Sequence, residues 1–352
     1  MIRVWYNHGY SQTRDALVLL RRPKGTDLFL IATHSNAMAA VFLEADMHEV
    51  EPVIAHHTPE GQPLYVDWCL DFCAQHGVDV FVVQRGRNAV ARRHAEFEAA
   101  GVKLVLVADA ETLDIIDDKA RFYAACSQAG LPTPLVYDVN TLADFDQACM
   151  AIREEGHDVC IKPPYDIFGN GYWRLRDNVP LLHQLMNPHH REIQTAVVRQ
   201  AFSEADVVPR LLVMQYLPGP EWSVDCLCRD GKLLTGVARR KSGSHQVLET
   251  DGAAMDLARV MAETFNLSHL ANIQVRRAGP DDALPYVLEI NPRMSGGCLY
   301  AEMAGLNLPH LQLLNALGRL PDQALPTPHS VAIAAVHGVV DLKASLVDVD
   351  YA

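Results

Sequence analysis

The sequence predicts an α/β chain that opens on a doubly wound parallel sheet and closes on antiparallel hairpins. Two observations carry that expectation. Over residues 1 to about 108, short apolar runs alternate with stretches of helical periodicity, as in parallel strands joined by crossover helices. Beyond about residue 213, alternating segments are separated by short turn signals such as Arg229-Asp230-Gly231-Lys232, which is how hairpins read. Length sets the scale: 352 residues give room for two or three domains with substantial cores.

In the first part, Ile2-Arg3-Val4-Trp5 is strand-like and Thr13 to Arg22 helical. Asp27 to Ala32 is a buried strand, Val66 to His76 a helix, and Val78 to Val83 a strand. Ala89 to Ala100 is helical, and Val102 to Leu106 a further strand. The first loop, Asn7-His8-Gly9-Tyr10-Ser11, has one glycine where a dinucleotide fingerprint needs three. His8 is most simply a loop residue, although it stands at a sheet edge where a substrate site can form. A helix from Asp117 to Ala129 follows, capped by Asp117 or Asp118 and ended by Gly130 and Pro132. Leu142 to Glu155 is helical and Val159 to Lys162 a strand. The expected lobes are residues 1–108, a linking helix and central lobe over 109–212, a lobe over 213–340, and a tail over 341–352. The last part holds the hairpins and a helix from about Tyr300.

Composition excludes several classes. Formal net charge is −13 without a long Lys/Arg block, which argues against a general nucleic-acid surface. No apolar run approaches a membrane span, and the start lacks the apolar core of a signal peptide. The eight cysteines fall mostly in apolar segments. The close pairs Cys69/Cys73 and Cys226/Cys228 suit one helix face and one strand face, so buried reduced thiols and a cytoplasmic location are expected.

Five features point to nucleotide chemistry. Lys162 ends an apolar strand, a costly place for an ammonium unless it meets an anion. Gly169 and Gly171 follow in a loop that lets backbone N–H groups approach phosphate. Lys119 sits in the first turn of its helix, where an anion would offset the macrodipole. The bend Gln215-Tyr216-Leu217-Pro218-Gly219-Pro220-Glu221 can present backbone groups to a base and a carboxylate to ribose. Finally, Gln274 lies on one strand, and Glu289 and Asn291 share one face of the next. Together they offer three oxygen donors suited to Mg²⁺, followed by Arg293, which can clamp a phosphate. Singly, each has a plain alternative: a snorkelling lysine, an exposed strand face or an amphipathic hairpin.

Their order and spacing resemble the ATP-grasp superfamily over residues 1 to about 320, nearest to its carbamoyl-phosphate synthetase large-subunit and biotin carboxylase branch. Asp118-Lys119-Ala120 with Gly130 to Pro134, Tyr216 to Asp225, and Asn291 to Gly297 carry that likeness. The resemblance implies an ATP-grasp fold of three lobes, the first an N-terminal doubly wound domain, with ATP gripped between the central and C-terminal lobes. It implies Lys119 and Lys162 on phosphates, and a lid around Gly169 and Gly171. It further implies Tyr216 and Leu217 on adenine, Glu221 on ribose, Mg²⁺ or Mn²⁺ on Gln274, Glu289 and Asn291, and Arg293 on the transferred phosphoryl group. Relatives are commonly dimeric.

Three departures stand out. Gln215 replaces the usual acidic hinge residue, and its carbonyl oxygen is expected to accept from the adenine amino group. The lid has few glycines and carries Tyr165, Phe168, Tyr172 and Trp173. The first loop lacks the usual small residues.

The chemistry implied is activation of a small-molecule carboxylate as an acyl phosphate, then amide formation with an amine. The rivals are a bicarbonate-activating carboxylase or carbamoyl-type enzyme, and a nucleotide-binding subunit without turnover. A branch of this superfamily is associated with tellurite-resistance operons. Candidate substrate residues are Arg239, Arg240 and Lys241, expected after the second hairpin strand, and the turn Ser295-Gly296-Gly297 near Arg293. The basic triplet reads equally well as a solvated cluster.

Overall fold

A computed structural model describes residues 1–336 apart from 10, 24, 26, 166–168, 244, 280–283 and 322–324. The lid residues Asp166, Ile167 and Phe168, the turn at Pro280 to Asp282 and the tail over 341–352 therefore lie outside the described residues. By contact the chain forms two interleaved compact units, whereas the expected lobes follow chain order. The first unit is Met1–Asp114, Trp222–Gln274 and the chain from Ile290; the second is Ile115–Glu221 with Val275–Glu289.

The first unit opens with β1 (Ile2–Asn7), α1 (Ser11–Arg21), β2 (Leu28–His34), β3 (Met47–Val50), α2 (Gly61–His76) and β4 (Val80–Val82). Then come α3 (Arg87–Arg92), α4 (His94–Ala99) and β5 (Lys103–Val105). Its sheet is wholly parallel, in the order β3-β2-β1-β4-β5. β1 is central and covered on both faces, so Val4, Trp5 and Tyr6 are all buried, as a doubly wound sheet requires. Trp5 stacks on Phe81 with centroids 4.0 Å apart and packs among Phe72, Val66 and Cys69. Val4 and Tyr6 join the core on the other face with Leu17 and Leu20 of α1.

Two details differ from expectation. The helix over Ala89 to Ala100 is broken at Arg93, which leaves helical conformation at φ −110° and ψ 23° and sends its guanidinium to Asp67 and Glu96. β3 was not expected, because as an edge strand with three of its four residues exposed it carries no apolar alternation.

α5 (Ala110–Asp117) leads into the second unit, which continues with α6 (Lys119–Gln128), β6 (Val136–Val139), α7 (Leu142–Glu154), β7 (Val159–Lys162) and β8 (Trp173–Leu175). α8 (Leu181–Met186), β9 (Glu192–Ile193), α9 (Thr195–Glu204) and β10 (Leu211–Gln215) follow. The sheet runs β6-β10-β7-β8-β9. Phe145, Ala148 and Ile152 of α7 form its core with Val159, Ile161 and Val213.

Asp118 caps α6. Its Oδ1 accepts from the backbone N–H of Ala120 at 2.9 Å and Arg121 at 3.3 Å. Its Oδ2 accepts from the Tyr165 hydroxyl at 2.6 Å and from Arg210 at 3.1 Å. Burial pushes this carboxyl up, but the bonds from Tyr165 and Arg210 outweigh it and leave the pKa below the ordinary value. The resulting stabilisation is present at neutral pH and lost as pH falls through the depressed pKa. Asp118→Ala is expected to cost roughly 1–3 kcal/mol of unfolding free energy at neutral pH. Urea denaturation with an unchanged midpoint would contradict this.

The third sheet comprises β11 (Glu221–Arg229), β12 (Lys232–Ser242), β13 (His245–Glu249), β14 (His269–Arg276), β15 (Tyr286–Asn291) and β16 (Val331–Ile333). Its order is β15-β14-β11-β12-β13-β16. Most of it lies in the first unit, with β14 and β15 running on into the second. α10 (Ala253–Thr264) connects β13 to β14; α11 (Cys298–Met303) and α12 (Leu308–Ala316) follow β15. All eight cysteines are free and buried. Among the described residues, no helix is long and apolar enough to cross a membrane.

Candidate active site

In the second unit one tyrosine organises a phosphate-type patch. Tyr123, buried on α6, donates its hydroxyl to the Leu288 carbonyl at 2.7 Å and accepts from Lys162 Nζ at 3.1 Å. The Val287 N–H donates to Pro132 O at 2.9 Å, so the start of β15 is fixed both to α6 and to the segment that follows it. Glu289 is thereby held with its carboxylate 3.9 Å from Lys119 Nζ. Lys119 is itself tied to the loop after β7, its N–H donating to Pro164 O at 3.1 Å. Burial lowers the Lys162 pKa to about 8, Glu289 pulls it back up, and Lys119 pushes it down. Two ammonium groups thus converge around one carboxylate, an arrangement that fits polyanionic oxygen. Tyr123 carried no motif, and only its place on the helix face toward Lys162 marks it.

The bend is built differently from expectation. Gln215 is buried, and its Oε1 accepts from Leu135 N at 3.3 Å. The carbonyl oxygen expected to read adenine is therefore turned inward. Tyr216 gives its N–H to Asp158 O at 2.7 Å, and its ring lies under the guanidinium of Arg174, 4.0 Å from the centroid. Leu217 is buried. Glu221 stands 3.6 Å from Arg276 Nη1, and Arg276 Nε donates to Gly219 O at 3.0 Å. A Cβ on Gly219 would meet Arg277 O at 2.6 Å, so the tight bend requires glycine. Gly169 and Gly171 have φ of 64° and 65°, left-handed values that favour glycine.

In the first unit a buried polar chain sets the direction of the amide side chains. Asp225 accepts from Asn272 Nδ2 at 2.9 Å. A carboxylate can only accept, so the amide oxygen of Asn272 must face the other way. That oxygen accepts from Gln274 Nε2 at 3.3 Å and from Asn291 Nδ2 at 3.3 Å. Both amides therefore spend their nitrogens on Asn272 and keep their oxygens as acceptors, the polarity that a hard divalent cation needs. Asn291 Oδ1 is also 3.4 Å from Arg293 Nη2. In β15 burial falls on Val287 and Ile290 rather than following the strict alternation expected.

The basic triplet lies within β12, not after it. Arg239 is buried and ion-paired through Nε with Asp225, and donates to Ser295 Oγ at 3.0 Å and Gln246 Oε1 at 2.9 Å. Its guanidinium lies so close to Gly297 that a Cβ there would collide with it. Ser295 also accepts from Gly297 N at 2.8 Å. The turn expected to bind an anion therefore packs on Arg239; Gly296 is exposed. Arg240 pairs with Glu249 at 2.7 Å, and Lys241 is exposed. Arg239→Met is expected to destabilise the protein by ~3–5 kcal/mol, because Asp225 would stay buried without its partner. Equal denaturation midpoints would contradict that. Asn272→Ala is expected to weaken Mg²⁺ binding about 10–100-fold by releasing both amides, read by titrating Mg²⁺ against nucleotide binding; an unchanged metal dependence would contradict it.

A family model described as an ATP-grasp in the biosynthetic pathway with the Ter operon matches residues 207–339. The carbamoyl phosphate synthase large chain of Thermomicrobium roseum is 29% identical over 231 residues, covering 61% of this chain and 19% of that one. The chain thus spans about a fifth of that relative's length. Among solved structures, the L-amino acid ligase of Bacillus licheniformis aligns with a TM-score of 0.63 at 15% identity, over 93% of this chain and 78% of that one. The biotin carboxylase domain of Hydrogenobacter thermophilus 2-oxoglutarate carboxylase, solved with MgADP, ADP and bicarbonate, aligns with a TM-score of 0.60 at 18% identity, over 90% and 69%.

Proposed function

We infer, for a chain that belongs to the ATP-grasp superfamily, that it activates a small-molecule carboxylate with ATP and joins it to an amine, releasing ADP and phosphate. The observation that carries this reading is the convergence of Lys119, Lys162 and Glu289 around Tyr123. The amide pair Gln274 and Asn291, whose nitrogens both donate to Asn272, supports it.

A carboxylate is a poor acyl donor because its leaving group would be oxide. In the proposed reaction a carboxylate oxygen attacks the γ-phosphorus and ADP departs. The amine then attacks the acyl carbon, and phosphate leaves with the carboxylate's oxygen. Lys119 and Lys162 neutralise phosphate oxygens, and Arg293 stabilises the transferred group. Glu289, Gln274 and Asn291 are the donors for Mg²⁺ or Mn²⁺, which would supply charge neutralisation at the phosphates. Tyr216, Leu217 and Glu221 are the residues proposed for adenine and ribose. With the Gln215 oxygen engaged by Leu135, base recognition falls to backbone groups of the bend. In this reading Arg239 is a positioning residue acting through Asp225 and Asn272.

A second reading, bicarbonate activation, is favoured by the likeness to a biotin carboxylase domain solved with bicarbonate. ADP release with Mg²⁺-ATP across a matrix of carboxylates and amines, bicarbonate included, separates the two. Amine-dependent release with a new amide mass supports the ligase. Release that needs bicarbonate alone supports the second reading, and ATP binding with silence throughout overturns both.

A further inference from the structure

A separate polar cluster occupies the carboxyl end of the parallel sheet, wholly within the first unit. Strand order reverses there between β1 and β4. The loops leaving those strands diverge at that point, where open α/β sheets take their ligands. Asn7, at the end of β1, pins the loop after β4: its Oδ1 accepts from Gln84 N at 2.6 Å, and its Nδ2 donates to Arg85 O at 2.9 Å. Arg85 is thereby fixed with its two ends in different company. Nη1 donates to Glu51 at 2.9 Å. The Glu51 side chain is 0% exposed and also accepts from Thr33 Oγ1 at 2.9 Å and Tyr65 OH at 3.3 Å. Nη2 turns instead to His8 Nε2 at 2.8 Å and Ser35 Oγ at 3.5 Å.

An imidazole nitrogen that accepts from a guanidinium must keep its lone pair, so His8 is neutral and carries its proton on Nδ1. Burial and the nearby Arg85 charge agree, driving its pKa down to about 3. The ring stacks on His34 with centroids 4.1 Å apart. His8 also holds φ at 34°, a strained backbone for a residue with a Cβ, and such strain gathers at ligand sites.

We propose that Arg85, His8 and Ser35 form a recognition subsite for a small oxyanion, a carboxylate or phosphate group, on a substrate of this protein. A cation is disfavoured because Glu51 is sealed in and its oxygens are already engaged. An oxyanion is a stronger acceptor for Arg85 Nη2 than a neutral ring nitrogen, so it displaces His8 from that bond and meets the Ser35 hydroxyl beside it. Gln84, next to Arg85, lines one narrow crevice with Arg293. The assignment to a substrate rests on the ligase reading; the oxyanion site does not.

The test uses the full chain without nucleotide, titrated with free L-amino acids and, separately, with inorganic phosphate, while the ring signals of His8 and His34 are followed by NMR. A saturable shift with an amino acid but not phosphate assigns a carboxylate; the converse assigns a phosphorylated substrate. Arg85→Ala alone would leave Glu51 buried without a partner, so the variants are Ser35→Ala and the paired Glu51→Gln with Arg85→Gln. The paired variant is expected to weaken the responsive probe about tenfold or more, with ADP affinity as in the parent. Absence of any shift while ADP still binds overturns the subsite, as does equal probe affinity in both variants. Loss of ADP binding in the unmodified chain would count against the ligase reading instead.

Discussion

Glu289→Ala is expected to lower Mg²⁺-dependent turnover by about a hundredfold or more, because it removes the only carboxylate among the proposed metal donors. The geometry adds a second loss. Glu289 raises the Lys162 pKa against burial and against Lys119, so its removal leaves two ammonium groups facing each other. Lys162 should then shed its proton at lower pH, and the pH profile of nucleotide binding should shift in the same direction. The fold should persist, since β15 is held to α6 and to the segment that follows it through the backbone of Leu288 and Val287 and not through this side chain. Unchanged turnover would remove Glu289 from the metal site. Lost turnover with a collapsed thermal transition would make its role structural.

Lys162→Ala is expected to weaken ADP and ATP binding roughly ten- to a hundredfold, the value of a charge-assisted hydrogen bond of ~1.5–3 kcal/mol. The pH dependence follows from a pKa lowered to about 8. Lys162 is charged below that value and neutral above it, so phosphate affinity is present at neutral pH and declines as pH rises through about 8. Bound phosphate favours the ammonium, so binding just above that pH should take up a proton. Calorimetry in buffers of different ionisation enthalpy reads both effects. A flat affinity across this range, or equal affinity in the variant, would contradict the assignment.

Much of the fold was legible because the relevant signals are local. The apolar run ending at Lys162 matches β7, Asp118 does cap α6, and Arg229 to Lys232 is the turn between β11 and β12. What stayed hidden depends on contacts far along the chain. Asp225 and Asn272 are 47 residues apart, and no pattern in either segment says that one orients the other. Arg239 looks like a free cation beside Arg240 and Lys241 until Asp225 and Ser295 are seen around it. The inward turn of Gln215 depends on Leu135, 80 residues away. Arg85 and Glu51 follow different strands and carry no motif, and in the sequence only its loop marks His8.

In the proposed reaction a carboxylate oxygen attacks the γ-phosphoryl group of ATP. With the carboxylate substrate identified by ADP release and labelled with ¹⁸O, the inorganic phosphate formed during turnover can be weighed by mass spectrometry. Activation as an acyl phosphate predicts that each phosphate carries one labelled oxygen from the carboxylate. Unlabelled phosphate alongside amide formation would mean that ATP is spent by another route, and would contradict the mechanism at its first step.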